Sequence, residues 1–185
     1  RLHTQKDFEN FLRGRTEIRG EIVMLKKDFV ALNKKRLADG LPEFANPRNL
    51  AAGTIRQLDP SLVAKRPLSF NAYDVLRDDA AEVPTNMFAY EAASALGITR
   101  NKQAAVYTSL ADVMKFVDRV EFIRDELPYN IDGLVIKVND RTQFAKLGVV
   151  GKQPRAAVAY KYAAEQATTV VKDIVISIGR TGAAT

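Results

Sequence analysis

The sequence contains no cysteine and no tryptophan, and its only histidine is His3. Without cysteine there is no disulfide, no thiolate nucleophile and no cysteine zinc site, a composition that suits a reducing cytoplasm. A single histidine excludes a multi-histidine metal site within these residues and argues against a histidine-based triad. Ionic chemistry must therefore come from carboxylates, lysines and arginines.

Long apolar runs are also missing. No run reaches the roughly 18–20 residues that span a bilayer, and no secretory leader is visible, so we expect no membrane partner. The 185 residues, 46% of them hydrophobic, suffice for one domain or for a domain plus a fragment. The net charge of +6 permits nucleic acid or a nucleotide as partner, but a basic, soluble surface would explain it as well. Because the chain opens on Arg1 and closes on a glycine turn, we expect a piece of a longer protein.

Predicted strands and helices are mixed without strict alternation, which favours an α+β fold with largely antiparallel sheets over a doubly wound fold. Hydrophobic patterning and turn residues predict strands over 17–24, 67–76, 131–138, 156–162 and 168–178. Helices are predicted over 25–40, 85–98, 109–127 and 141–147, with Thr85 as an N-cap and Ser109 with Asp112 as a capping box. A further helix is predicted after its cap Asn46, with Pro47 at its first position, in a region that Pro60 ends.

Charged side chains interrupt several of these predicted strands. Lys137 lies inside the apolar run of "NIDGLVIKVND", Lys161 lies inside "AVAYKY", Asp132 opens "IDGLVIK", and Glu21 lies in "EIRGEIVM". Taken singly, each has an ordinary explanation: a strand lysine reaches the rim, Glu21 pairs with a neighbouring arginine, and Asp132 belongs to a turn. A lysine is nevertheless almost never fully buried without a partner.

Together with two arginines, these groups indicate a shared site. Arg48 and Arg56 lie eight residues apart on one predicted helix and could share a face, although a solvated helix face is the alternative. Two lysines, two arginines and two carboxylates suit a site that holds a phosphate with a metal ion. Tyr73 could offer its ring to a base, or it could simply pack in the core.

Asp132 and Lys137 pose a geometric problem. Their spacing of five would place them on opposite faces of an unbroken strand. They can act together only if Gly133 marks a bulge or if Asp132 belongs to the preceding turn, and we predict one of the two.

Several motifs, in order, resemble the adenylation (nucleotidyltransferase) domain of bacterial NAD⁺-dependent DNA ligases. The matching segments are "EIRGEI", "FANPRNLAAGTIRQLDP", "FNAYDVL", "YNIDGLVIKVND", "AVAYKY" and "IGRTGAAT". The second is highly specific to the family, whereas "DGLVIK" is shared with ATP-dependent ligases and capping enzymes. The resemblance implies an N-terminally truncated nucleotidyltransferase (ATP-grasp-like ligase) core over 1–167. The start of an oligonucleotide-binding (OB-fold) domain is implied over 168–185.

The resemblance also implies roles for eight residues. The implied catalytic residues are Lys161, Lys137, Asp132, Glu21 and Arg124. Glu21, Tyr73, Lys137 and Lys161 would contact the nucleotide, Arg48 and Arg56 would bind DNA, and Asp132 and Glu21 would hold a metal through water. The implied ligands are NAD⁺ as AMP donor, Mg²⁺ or Mn²⁺, and nicked double-stranded DNA. A monomer in the bacterial cytoplasm, at the nucleoid, is expected.

One departure from the family pattern stands out. The family's nucleophilic lysine belongs to a Lys-x-Asp-Gly motif, which this sequence lacks, so we expect these residues alone to be inactive. Ala156 also stands where the family commonly carries tryptophan. Two alternatives remain open: a non-catalytic module that binds nucleotide or nicked DNA, and an ATP-dependent ligase or capping-enzyme relative. The "FANPRN…RQLDP" block argues against the second.

Overall fold

A computed structural model describes residues 5–163 and 168–184 of the chain. Its strands form three two-stranded antiparallel sheets, which pair β1 (Thr16–Val23) with β2 (Ser69–Arg77), β3 (Gly133–Lys137) with β6 (Ala157–Lys161), and β4 (Val149–Val150) with β5 (Gln153–Pro154). The predicted α+β class with antiparallel sheets is confirmed. His3 and the predicted domain boundary at 167 lie outside the described residues.

Six α-helices surround these sheets within the described ranges. They are α1 (Lys26–Ala38), α2 (Pro47–Ile55), α3 (Pro60–Ala64), α4 (Asn86–Ala95), α5 (Leu110–Ile123) and α6 (Arg141–Leu147). Short 3₁₀ segments cover Gln5–Leu12, Ala80–Glu82 and Arg124–Glu126. None of the helices in the described part of the chain is long and apolar enough to cross a bilayer.

The larger hydrophobic core lies between the β1–β2 sheet and α4. Side chains from the first 3₁₀ segment, β2, the loop before α4 and α4 fill it: Phe8, Phe11, Ala72, Val75, Val83, Ala89, Ala92 and Ala93. The guanidinium of Arg77 closes its edge, donating to the carbonyls of Asn10, Arg13 and Arg15. This core holds the β1–β2 sheet in place and so fixes the backbone of β1, which carries Glu21.

A smaller core fixes α2 against the end of β1. Met24, Leu50 and Ala51 are buried together, with Phe29 and Phe44 packed against them. Asn46 caps α2, since its side-chain oxygen accepts from the backbone N–H groups of Arg48 and Asn49, with Pro47 at the first helical position. The cap predicted at Asn46 is confirmed.

Pro60, expected at the end of this region, begins a helix. α2 ends at Ile55, and α3, which was not predicted, starts at Pro60 with Asp59 as its cap. Proline suits the first position of a helix because its missing N–H would be unpaired there anyway.

The predicted strand over 168–178 does not form. Residues 168–177 carry no strand pairing, and Ile178 makes only an isolated bridge to Ala184. Apolar side chains such as Val170 and Ile174 are exposed there. A strand forms beside a second strand, and none of the strands in the described ranges runs along residues 168–176.

Candidate functional site

Four charged side chains from four separate segments meet at one surface. Arg48, near the start of α2, lies with Nη2 4.0 Å from Oε1 of Glu21 and with Nη1 3.7 Å from Oδ2 of Asp132. Lys161, at the end of β6, places Nζ 3.9 Å from the same Asp132 oxygen. These four residues, here called the Arg48 cluster, have side chains 61–75% exposed.

The distances between the charged atoms of the Arg48 cluster are compatible with a bound ligand. All three distances exceed the 2.7–3.2 Å of a direct hydrogen bond, so the charges face one another without closing on one another. The two cations and two carboxylates are solvent-exposed and only weakly paired. They can therefore rearrange around an anionic oxygen or a hydrated cation with a small loss of ion-pair free energy.

Gly133 allows Asp132 and Lys161 to approach. Gly133 pairs directly with Lys161 across the β3–β6 ladder, and a β-carbon at Gly133 would lie 2.1 Å from the carbonyl oxygen of Tyr160. The backbone N–H of Tyr162 donates to the carbonyl of Asp132 at 2.9 Å, which anchors the residue just before the strand. β3 begins at Gly133, so Asp132 lies in the preceding bend, which is one of the two predicted solutions.

Lys137 and Lys161 share one face of the β3–β6 sheet. Gly133 pairs with Lys161 and Lys137 pairs with Ala157, and side chains of paired residues point to the same side. Val135 and Ala159, paired between them, are exposed on that face. The two lysines therefore lie about 13 Å apart along the strand. Between them lies an apolar surface formed by Val135 and Ala159, here called the apolar floor.

The amine of Lys137 does not contact the Arg48 cluster. It lies 5.8 Å from the ring centroid of Tyr90, one turn into α4, within the range of a cation–π interaction. Partial burial lowers the pKa of Lys137, the negative charge of Asp74 opposes that shift, and Arg141 adds to it. Burial, followed by Asp74, raises the pKa of the Tyr90 hydroxyl.

Contacts from α4 and α6 fix the chain just after Lys137. Asn86 donates from its backbone to the carbonyl of Asn139 at 2.8 Å and from its side chain to the carbonyl of Val138 at 2.7 Å. Arg141 pairs with Asp74 and donates to the carbonyl of Val75 at 2.9 Å. The sequence reasoning missed these residues. The only signal was Asp74, the one charged residue inside the predicted strand over 67–76 that carries Tyr73.

The other three predicted site residues are not among the charge pairs that define the Arg48 cluster. Tyr73 occupies the β-bulge of β2 and is about half exposed. Arg56 caps the far end of α2, about 12 Å from Arg48 along the axis. Arg124 follows α5, where it pairs with Asp125 at 3.8 Å and lowers the pKa of Tyr162, against the larger rise that burial causes.

Direct metal ligation has little support from the donor set. Within residues 5–163 and 168–184, no three carboxylate, imidazole or thiol groups gather closely enough to hold a metal ion. Glu21 and Asp132, each within 4.0 Å of the Arg48 guanidinium, are the two oxygen donors at this site. A pair of carboxylates can hold a hydrated divalent cation through its waters.

Comparison with known proteins places these residues in context. The family model described as the NAD-dependent DNA ligase adenylation domain matches residues 3–165. A DNA ligase of Halothermothrix orenii (strain H 168 / OCM 544 / DSM 9562) is 50% identical over 172 residues, covering 91% of this chain and 25% of that protein. A DNA ligase of Koribacter versatilis (strain Ellin345) is 46% identical over 169 residues, covering 91% of this chain and 25% of that protein. This chain thus spans about a quarter of the length of these two relatives.

Proposed function

This chain belongs to the NAD-dependent DNA ligase adenylation domain family, and from that premise we propose that it forms most of the nucleotide pocket of a nick-sealing DNA ligase. The whole enzyme would join single-strand breaks in duplex DNA through an enzyme-adenylate and a DNA-adenylate intermediate, with NAD⁺ as the AMP donor.

One observation carries the proposal: the convergence of the Arg48 cluster. Glu21, Arg48, Asp132 and Lys161 come from positions 140 residues apart at the extremes, yet they face one another across 3.7–4.0 Å. Charge neutralisation at a phosphorus is what every step of adenylyl transfer requires, and preorganised cations supply it.

In this reaction the Arg48 cluster would neutralise phosphate charge and would not supply the attacking nucleophile. A lysine amine outside these residues attacks the α-phosphorus of NAD⁺, a P–N bond forms, and nicotinamide mononucleotide leaves. The 5′-phosphate of the nick then takes the AMP, and the 3′-hydroxyl finally displaces it. In each step Lys161 would neutralise a phosphate oxygen, and Lys137 would contact the nucleotide from the other end of the apolar floor.

The remaining site residues would complete the pocket. The half-exposed ring of Tyr73 would stack on adenine. Glu21, which comes directly after the bulge between Arg19 and Gly20, would contact the ribose. Arg48 and Arg56, both exposed along α2, would contact phosphates of the DNA backbone. Arg124 would serve a later step, after the remaining parts of the enzyme have closed on the DNA.

A hydrated Mg²⁺ or Mn²⁺ fits the two carboxylates of the cluster. Such an ion, when bound, neutralises charge on the transferred phosphate and orients its oxygens. Asp132 and Glu21 would hold its waters, a role that matches their exposure and their loose contacts with Arg48. We further propose that residues 168–185 begin an OB-fold domain and that the enzyme acts as a monomer in the bacterial cytoplasm.

A cofactor-swap assay on the full-length enzyme tests the proposal. Nick sealing should require NAD⁺ and fail with ATP, and Lys161→Ala should slow sealing by about 10²-fold or more, the scale of losing one charge-stabilising donor. Lys34→Ala, which removes an exposed lysine on α1, serves as the control and should seal at the wild-type rate.

The alternatives give different outcomes. Sealing with ATP would place the enzyme among the ATP-dependent ligase and capping relatives. Binding of nicked DNA without sealing under either cofactor would indicate a non-catalytic module. Wild-type sealing by Lys161→Ala would remove Lys161 from the site.

A further inference from the structure

Two buried polar residues contact α2 or the loop before it. By whole-residue exposure, Asn33 at 7% and Thr54 at 0% are the buried polar residues in the described part of the chain. Burying a polar group is unfavourable unless its hydrogen bonds are satisfied, so such residues are informative about what must be held in place.

Asn33 clamps the loop that leads into α2. Its side-chain amide donates to the carbonyl of Phe44 at 2.9 Å, and its oxygen accepts from the Phe44 N–H at 2.9 Å. A side-chain amide that satisfies both backbone groups of one residue mimics a strand partner and fixes that residue in position and direction. Phe44 precedes Asn46 by two residues, and Asn46 accepts from the backbone N–H of Arg48 at 2.8 Å.

Arg66 holds the other end of the same helix. It donates from Nη1 to the hydroxyl of Thr54 at 2.7 Å, and that hydroxyl donates onward to the carbonyl of Leu50 at 2.6 Å. Two guanidinium groups also lie over the Phe44 ring, that of Arg36 at 4.1 Å and that of Arg66 at 5.3 Å from its centroid. The loop before α2 and the last turn of α2 are therefore tied through one aromatic ring.

We propose that Asn33 is a positioning residue that sets Arg48 through the Phe44 loop, with Arg66 as its counterpart at the far end of α2. The inference rests on the proposed function, because it assigns Arg48 a phosphate of nicked DNA. Arg48 reaches Glu21 and Asp132 only at 3.7–4.0 Å, so these weak contacts cannot orient it, and its placement must come from the helix that carries it.

Binding of nicked DNA to the full-length enzyme at several salt concentrations tests this inference. The logarithm of the association constant falls linearly with the logarithm of the salt concentration. Arg48→Ala should make this slope shallower by about 0.9, the value for the loss of one phosphate contact. Asn33→Ala should weaken binding several-fold and lower the slope part of the way toward that value. In the Arg48→Ala background, Asn33→Ala should add little, because the contact that it positions is already gone.

Val83→Ala is the matched control, since it opens a cavity in the core between β2 and α4 and leaves α2 untouched. At an equal loss of thermal stability, it should keep the wild-type salt slope. Arg66→Met keeps an unbranched chain over Phe44 while removing the bond to Thr54, and it should reproduce the Asn33→Ala effect. If Asn33→Ala fails to fold, the salt slope of Arg66→Met tests the positioning role in its place.

The outcomes separate the two ideas. A wild-type slope in Asn33→Ala and Arg66→Met, alongside a reduced slope in Arg48→Ala, overturns the positioning role and leaves the proposed function intact. Full additivity of Asn33→Ala with Arg48→Ala overturns it as well. An unchanged slope in Arg48→Ala itself overturns both the DNA contact proposed for Arg48 and the inference built on it.

Discussion

Lys137 is a cation in a half-buried setting. Its amine lies near the Tyr90 ring, and burial lowers its pKa below the ordinary value of 10.5. Because the lowered pKa belongs to the folded state, the unfolded chain binds more protons between that value and 10.5. The free energy of unfolding therefore rises with pH in this alkaline window, as far as Lys137 is concerned.

Replacing this amine should change the alkaline dependence of stability. Lys137→Met keeps the length of the side chain and removes the titration, so its stability should lack the rise that Lys137 contributes up to pH 10.5. Urea unfolding at several alkaline pH values, compared between wild type and variant, measures the difference. Tyr90, whose pKa burial raises, titrates in both proteins and cancels in that comparison.

Val135→Met is the matched control, because Val135 is exposed on the same sheet face and carries no titratable group. Its alkaline stability curve should run parallel to that of the wild type. Parallel curves for Lys137→Met and wild type would mean that the Lys137 amine is as well solvated as one in water.

At the scale of the element, glycine decides how closely strands approach. The β3–β6 pair brings Gly133 opposite Lys161 with no space for a β-carbon, because the nearest obstacles are backbone atoms of β6. Gly20 meets a similar limit, where a β-carbon would lie 2.6 Å from the carbonyl oxygen of Asn71. The residues beside these glycines, Asp132 and Glu21, are the two carboxylates of the Arg48 cluster.

Gly133→Ala should separate β3 from β6. The added methyl cannot be accommodated by a side-chain rotation, so we expect a loss of about 2–3 kcal/mol in the free energy of unfolding. Chemical denaturation measures that loss. Gly53→Ala, inside α2 with nothing within 4 Å of the new methyl, should instead gain about 0.5–1 kcal/mol. A stable Gly133→Ala variant would show that the strand pair can shift without cost.

At the scale of the whole molecule, the family's nucleophilic motif is missing from this sequence. The 185 residues contain no Lys-x-Asp-Gly, and their Asp-Gly pairs are preceded by Leu-Ala and Asn-Ile. In the proposed function, the Arg48 cluster would supply charge to a phosphate, and the attacking amine would come from residues outside this sequence.

This division leads to a prediction about covalent adenylation. Incubated with NAD⁺ and Mg²⁺, these 185 residues should gain no adenylyl group, whereas the full-length enzyme should gain one. Intact-mass spectrometry of both proteins reports the gain, and peptide mapping locates it. An adenylyl group on Lys161 or Lys137 would contradict the supporting role assigned to those lysines.

The sequence by itself determined five of the six described α-helices, three of their caps and four of the six described strands. Asn46 with Pro47, Thr85, and Ser109 with Asp112 are local signals whose hydrogen bonds close within a few residues, so tertiary context does not alter them. The α+β class followed from the order of predicted elements, and the family followed from the resemblance of six motifs. A bulge at Gly133 or a turn position for Asp132 was predicted because the side-chain period of a strand is two, and the structure has the turn.

Tertiary structure alone decided which charges meet. Arg48 lies 84 residues from Asp132 in the sequence, and their segments meet through long-range contacts such as the hydrogen bond from the Lys26 N–H to the carbonyl of Pro128 at 2.8 Å. Long-range contacts also place Lys137 beside Tyr90, and residues 168–176 lie outside the strands of the described chain. Local propensity acts over a few residues, whereas side-chain encounters depend on the burial of surfaces that are distant along the chain.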